Sequence, residues 1–116
     1  MISIKRAYDP PSEEDGYRIL VDRLWPRGIS KEKAKIDQWA KDVAPSTKLR
    51  QWFHHEEGDW DEFEKRYRAE LKEHKRELQE LAELAQRRHV TLVYGAKDEL
   101  HNQAIVLKDE LKKMTE

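Results

Sequence analysis

The stretch Val90-Thr-Leu-Val-Tyr94, closed by Gly95, decides the fold class of this chain. It carries no charged side chain, although 41% of all residues in the sequence are charged. A short apolar run of this composition is typical of a strand that is buried on both faces of a sheet. Because neighbouring parallel strands are joined by helices, we predict an α/β fold around this strand.

Two earlier segments are predicted to pair with it. Ile2, Ile4 and Ala7 nearly alternate with charged residues, and the segment from Tyr17 to Leu24 is rich in β-favouring side chains. The rhythm of strand, long helical excursion, strand and helix is typical of parallel pairing. The expected architecture is therefore a small three-stranded, mainly parallel sheet covered by helices.

One long amphipathic helix is predicted between the second and third strands. Asp59 is its expected N-cap, Glu62 stands at the third helical position, and the helix should end near Arg88. A final helix is expected to begin after Asp98. The apolar stripe of the long helix recurs at steps of three and four: Trp60, Phe63, Tyr67, Leu71, His74, Leu78, Leu81 and Ala85.

Length and composition restrict the class of protein. The 116 residues suit a single domain over residues 1–116, and 23 basic against 24 acidic residues give a net charge of -1. No global field favours nucleic acid, so no nucleic-acid partner is expected. The absence of cysteine excludes disulfides and thiolate chemistry, and no apolar run approaches the ~18 residues of a membrane span. We expect a cytoplasmic protein without a membrane partner.

The loop after the second strand, Val21-Asp-Arg-Leu-Trp-Pro-Arg-Gly28, is the most site-like segment. Arg23 and Arg27 carry planar guanidinium groups suited to carboxylate or phosphate, and Trp25 offers a flat stacking surface. The alternative is that Arg23 pairs with a nearby acid while Trp25 closes the core.

The loop after the third strand, Gly95-Ala-Lys-Asp-Glu-Leu-His-Asn102, is the second candidate. Lys97 can neutralise an anion, and His101 and Asn102 are expected on the first helical turn, facing the same mouth. Asp98 is included among the ligand-binding candidates, although a capping role is favoured over a catalytic one. Both loops should meet where parallel strands end, which is where ligands bind in such sheets.

Because the chain has no cysteine, two histidines are the candidates for binding a metal. His55 follows His54 in Trp52-Phe-His-His-Glu-Glu57, and His55 and His101 are the candidate ligands for a metal or for haem iron. For this segment the alternative is a solvated loop that helps to end a helix.

Several motifs, taken in chain order, resemble the YeaO-like proteins, a bacterial domain-of-unknown-function family with the number 488. The resemblance implies a compact cytosolic α/β domain in which the two loops above are the signatures. Longer relatives carry cysteines near the final loop, where this chain has Ala96 and Asn102, and this difference argues against thiol chemistry. The motifs are Val21–Gly28, Ala44–Ser46, Leu49–Phe53, Trp60 through Phe63 to Tyr67, Thr91–Tyr94, Ala96–Asp98 and His101–Asn102.

Three functions are consistent with these residues, and the sequence leaves open whether the protein is an enzyme. The leading hypothesis is a pocket for an anionic small molecule, with haem or another tetrapyrrole as one occupant. The second is a hydrolase or transferase acting on a phosphate or carboxylate ester, with His101 as general base. The third is a homo-oligomeric interaction protein that buries its tryptophans and its long helix against copies of itself.

Overall fold

The computed structural model describes residues 1–56 and 58–115. Its sheet contains four strands: β1 (Ile2–Arg6), β2 (Tyr17–Leu20), β3 (Gln38–Trp39) and β4 (Val90–Tyr94). Their spatial order is β1-β4-β2-β3, and every pairing between them is parallel. The α/β class predicted from the sequence is therefore confirmed.

Strand β4 lies at the centre of the sheet, as its apolar composition predicts. It pairs with β1 from Ile2 opposite Val90 onward, and with β2 from Tyr17 opposite Val90. All five β4 residues are buried. Since β2 and β4 run side by side in the same direction, the loops that follow them start at the same edge of the sheet.

The predicted count of three strands is wrong by one. Strand β3 consists of two residues, paired with Ile19 and Leu20, and is too short to show an alternating pattern. Hydrogen bonds from the amides of Asp37 and Ala40 to β2 carbonyls fix its position. The second strand also ends earlier than predicted, at Leu20, and the chain leaves the sheet soon after Val21 donates to the Val93 carbonyl.

Five helices cover the sheet: α1 (Lys31–Ala34), α2 (Thr47–His55), α3 (Trp60–Leu71), α4 (Lys75–Arg87) and α5 (Gln103–Thr115). The predicted long helix is the helical segment from Trp60 to Arg87, in which a 3-10 turn at Lys72–His74 separates α3 from α4. Its apolar stripe is buried except near Trp60 and His74, which are half-buried. The buried members are Phe63, Tyr67, Leu71, Leu78, Leu81 and Ala85.

Helix α5 begins later than the sequence predicts. The Asp98 carboxylate accepts hydrogen bonds from the amides of Leu100 and His101, so it caps a turn rather than the helix. The side-chain oxygen of Asn102 accepts from the amide of Ile105 at 3.2 Å and thereby caps α5. His101 and Asn102 consequently precede the helix instead of lying on its first turn.

The main core fills the space between one face of the sheet and helices α3, α4 and α5. Tyr67 is fully buried in it and donates its hydroxyl to the Val43 carbonyl. A smaller cluster of Ala7, Leu20 and Val93 packs with Trp25 and Trp39 on the other face.

Across residues 1–56 and 58–115, no helix is both long and apolar enough to span a bilayer.

Two glycines with positive φ angles provide a test of the backbone packing at Gly16, directly before β2. Gly16 (φ 64°) lies where a Cβ would be 2.4 Å from the His89 carbonyl oxygen, whereas a Cβ on Gly28 (φ 79°) would meet no atom within 4 Å. We predict that Gly28→Ala costs about 1 kcal/mol of unfolding free energy from backbone strain alone. Gly16→Ala should cost about 3 kcal/mol, because strain and a backbone clash add together. Urea unfolding of both variants would contradict this packing if their losses were equal.

Candidate functional site

A cleft of about 250 Å³ opens where β2 and β4 end, between their loops and the helices α2 and α3. One carboxylate, two arginines, two histidines and several aromatic rings line it, together with small residues of the β4 loop. The polar and aromatic lining side chains are Tyr8, Asp22, Arg23, Trp25, Arg50, Phe53, His54, Trp60, Phe63, His101, Asn102 and Gln103.

Asp22 occupies the floor of the cleft and joins three elements. Its Oδ2 accepts the amide N–H of Gly95 at 2.8 Å, and its Oδ1 accepts the side-chain amide of Gln103. Gly95 follows β4, while Gln103 opens α5. A Cβ at position 95 would lie 2.7 Å from Oδ2, so glycine permits this contact. The carboxylate therefore sits at the junction of β2, β4 and α5.

The same position changes the acidity of Asp22. Burial raises the pKa of this carboxyl group from 3.8 to about 6, although the hydrogen bonds from Gly95 and Gln103 and the charge of Arg50 act in the opposite direction. At neutral pH the group is ionised, but it lies within reach of protonation in mildly acidic solution. Asp22 is thus a cleft-lining carboxylate with a raised pKa.

Arg23 and Trp25 line the cleft, and both donate hydrogen bonds to backbone carbonyls. Arg23 donates from Nε to the Pro45 carbonyl at 2.9 Å and from Nη2 to the Ala44 carbonyl at 3.2 Å. Trp25 donates its indole N–H to the Ile29 carbonyl at 2.6 Å. The two side chains thus hold the surrounding loops in place and form part of the wall.

Arg50, on α2, is a cleft-lining cation whose hydrogen bonding is incomplete. Its Nε is buried and, among the described residues, has no hydrogen-bond partner. Burial and then the Arg50 charge lower the pKa of His54, and the same charge partly offsets the raised pKa of Asp22. Arg50, Phe53 and His54 share one face of α2, so this helix turns a cation and an aromatic ring toward the cleft.

An aromatic wall lies beside these charges. Trp60 and Phe63 are stacked, with ring centroids 5.3 Å apart and planes at 20°, and Phe53 lies 4.6 Å from Phe63. The His101 ring meets Trp60 edge-on at 5.3 Å. The wall therefore presents flat apolar surface next to hydrogen-bonding groups, as small-molecule sites do.

His101 lies at the mouth of the cleft, with about half of its side chain exposed. Its Nδ1 is 3.0 Å from Oδ2 of Asp98, and this contact fixes the orientation of the ring. The amide of Leu100 and the His101 ring lower the pKa of Asp98. Asp98 therefore acts on the site by positioning His101.

The structure brings together four of the seven predicted ligand-binding residues. Arg23, Trp25, His101 and Asn102 line the cleft, whereas Arg27, Lys97 and Asp98 do not. Asn102 is buried, and its amide N–H₂ donates to the Asp98 carbonyl at 2.9 Å.

Sequence reasoning missed Asp22, Arg50 and Gln103. Asp22 stood inside the quoted loop, directly after an apolar strand, and this position was the available signal. Arg50 and Gln103 gave none, because their relation to Asp22 depends on how α2 and α5 pack.

The two histidines proposed as metal ligands line different cavities. His55 lies in a neighbouring groove of about 580 Å³ on another face of α2, where Trp52 is covered by the Arg66 guanidinium at 4.1 Å. Within the described ranges, no three or more His, Asp or Glu side chains are grouped so that they could hold a metal ion. His55 and His101 are thus not brought into one site.

Comparisons with known proteins find related sequences along almost the whole chain. A family model described as "Inactive DUF488-N3 subclade" matches residues 1–116. The chain is 49% identical over 113 residues to "Uncharacterized protein YeaO" of Escherichia coli (strain K12), covering 97% of this chain and 98% of that protein. It is 42% identical over 106 residues to "Uncharacterized protein Rv3073c" of Mycobacterium tuberculosis, covering 91% and 89%. No solved structure matches with significance.

The acidity of Asp22 predicts a pH-dependent difference between the wild-type protein and an Asp22→Asn variant. Between pH 3.8 and about 6 the folded protein holds a proton on Asp22 that the unfolded chain has released. Lowering the pH through this window therefore stabilises the wild type, by up to about 3 kcal/mol. The variant lacks this term, so the unfolding free energy of the variant minus that of the wild type should be most positive at pH 7 and should fall toward pH 4.

Urea unfolding of both proteins at pH 4, 5.5 and 7 measures this difference. Acids with a lowered pKa, such as Asp15 and Asp109, are present in both proteins, so their loss of stability in acid cancels. A difference that stays constant with pH would show that Asp22 titrates as an ordinary exposed carboxyl group.

Proposed function

Because this chain belongs to the YeaO-like, DUF488 family of bacterial proteins and to its subclade described as inactive, we propose that it is a binding protein whose strand-end cleft holds a small anionic molecule. The word "inactive" in the family description supports binding over catalysis. The position of the cleft supports it as well, because ligands of parallel α/β sheets bind beyond the carboxyl ends of the strands.

The observation that carries this proposal is the incomplete hydrogen bonding of Arg50. Its Nε is buried, but within the described ranges no hydrogen bond engages its terminal guanidinium nitrogens either, so these are the donors that a ligand in the cleft would satisfy. A carboxylate or phosphate fits the planar fork of a guanidinium group. The neighbouring Phe53 and Trp60 rings supply apolar contact for the rest of the ligand.

The size of the cleft favours a ligand smaller than haem. Its volume of about 250 Å³ lies below the range of ~300–1,000 Å³ that pockets for drug-sized ligands occupy. His101, the candidate iron ligand, stands at the exposed mouth rather than above a deep slot. A tetrapyrrole would therefore leave most of its surface outside, and we favour a compact carboxylate or phosphate compound.

A hydrolase or transferase is the second candidate, and the Asp98–His101 contact is the observation that favours it. A carboxylate bound to Nδ1 orients an imidazole as a general base. However, among the described residues that line the cleft there is no serine, threonine or cysteine to activate. Ser30 and Ser46 instead accept hydrogen bonds from the amides of Lys33 and Leu49 as helix caps. Binding is therefore favoured over this reaction.

The test is ligand-observed NMR followed by calorimetry on a panel of small anions: citrate, ribose 5-phosphate, nucleoside monophosphates and, as the large member, haemin. We predict that at least one compact anion binds and that Arg50→Met weakens it by about tenfold or more, because a charge-assisted hydrogen bond is lost. Arg66→Met is the matched control, since it makes the same substitution in the neighbouring groove.

Two results would contradict the proposal. The first is that no anion of the panel binds. The second is that binding is lost in Arg66→Met and retained in Arg50→Met, because the site would then lie on the other face of α2. Tight haemin binding with a Soret shift that depends on His101 would overturn the preference for a compact ligand.

A further inference from the structure

The floor of the cleft presents hydrogen-bond acceptors. An ionised carboxylate has about four lone-pair sites and no donor. Gly95 uses one site on Oδ2 of Asp22, and Gln103 uses one on Oδ1. One site on each oxygen therefore remains, which is enough for two N–H donors from a ligand.

Gln103 adds to this acceptor character. Since a carboxylate only accepts, the group that Gln103 turns toward Asp22 is its N–H₂, which leaves its carbonyl oxygen as a further acceptor on the cleft. Asn102, the other amide on the lining, already has both ends bound to backbone groups. A ligand that reaches the floor must therefore bring donors.

Arg50 requires acceptors from the ligand, because its own side chain offers donors and a positive charge. Arg50 and Asp22 attract each other through space, but within the described part of the chain they do not share a hydrogen bond. Each group is thus available to a different part of one ligand. Trp60, which is half-buried and lines the cleft, supplies an aromatic contact for a flat ligand.

We propose that the cleft selects a flat nitrogen heterocycle whose edge carries two adjacent N–H donors, as the 2-amino-6-oxo edge of guanine does, and which also bears a carboxylate or phosphate. The paired donors bind the Asp22 carboxylate, and the anionic group binds Arg50. This inference rests on the proposed binding function and names the ligand class of the same site.

The experiment compares the affinities of four nucleoside monophosphates and ribose 5-phosphate by calorimetry at pH 7.5. Guanosine monophosphate offers both donors, inosine monophosphate lacks the amino group, xanthosine monophosphate replaces it by an oxygen, and adenosine monophosphate lacks the ring N–H. We expect guanosine monophosphate to bind about tenfold or more tightly than the others, because each lost partner leaves a charged acceptor unsatisfied.

Asp22→Asn is the decisive variant, because it keeps the shape of the side chain and replaces one acceptor by a donor. We expect it to reverse the preference, so that xanthosine monophosphate binds more tightly than guanosine monophosphate. Arg50→Met is the control, and it should weaken all monophosphates alike without changing their order. Circular dichroism establishes that both variants are folded.

The outcomes separate this inference from the function on which it rests. Equal affinities for all four nucleotides, or a preference that Asp22→Asn leaves unchanged, would overturn the donor-edge inference and leave anion binding at Arg50 intact. If no anion binds to the wild-type protein at all, both proposals fail together.

Discussion

The carboxylate of Asp22 joins the elements that meet at the carboxyl edge of the sheet. One side chain from the end of β2 accepts the first backbone N–H after β4 and the side chain that opens α5. Without these two bonds, the loops at the carboxyl edge of the sheet would lack a common anchor. Burial disfavours the charged form of the Asp22 carboxyl group, and its pKa is raised for this reason.

The hydrogen bonds of the two cleft arginines, Arg23 and Arg50, differ in a way that their residue type does not predict. Arg23 stands in the most conspicuous motif, yet it donates to two backbone carbonyls and fixes the start of α2. That anchoring in turn positions Arg50, which lies one turn into the helix and keeps a buried N–H without a described partner. Arg23 thus uses two of its five N–H groups on the backbone, whereas Arg50 forms no side-chain hydrogen bond to a described residue.

Local patterns predicted the parts of the fold that depend on local physics. The uncharged run of β4 predicted a central strand, and the stripe from Phe63 to Ala85 predicted the long buried helical face. Strand β3 was missed because two residues carry no period, and the start of α5 was misplaced because Asp98 caps a turn. Of the site, the two loops were found, whereas Arg50 and Gln103 reach Asp22 only through tertiary packing, which no single-sequence pattern records.

Asp22 is a half-buried carboxylate bound to Gly95 and Gln103 at the floor of the strand-end cleft. The most direct measurement is an NMR titration of its side-chain carboxyl carbon in the free protein. We expect a midpoint at about pH 6, well above the ordinary value of 3.8 for aspartate. A midpoint near 3.8 would mean that the carboxylate is open to water and that the cleft floor described here does not exist.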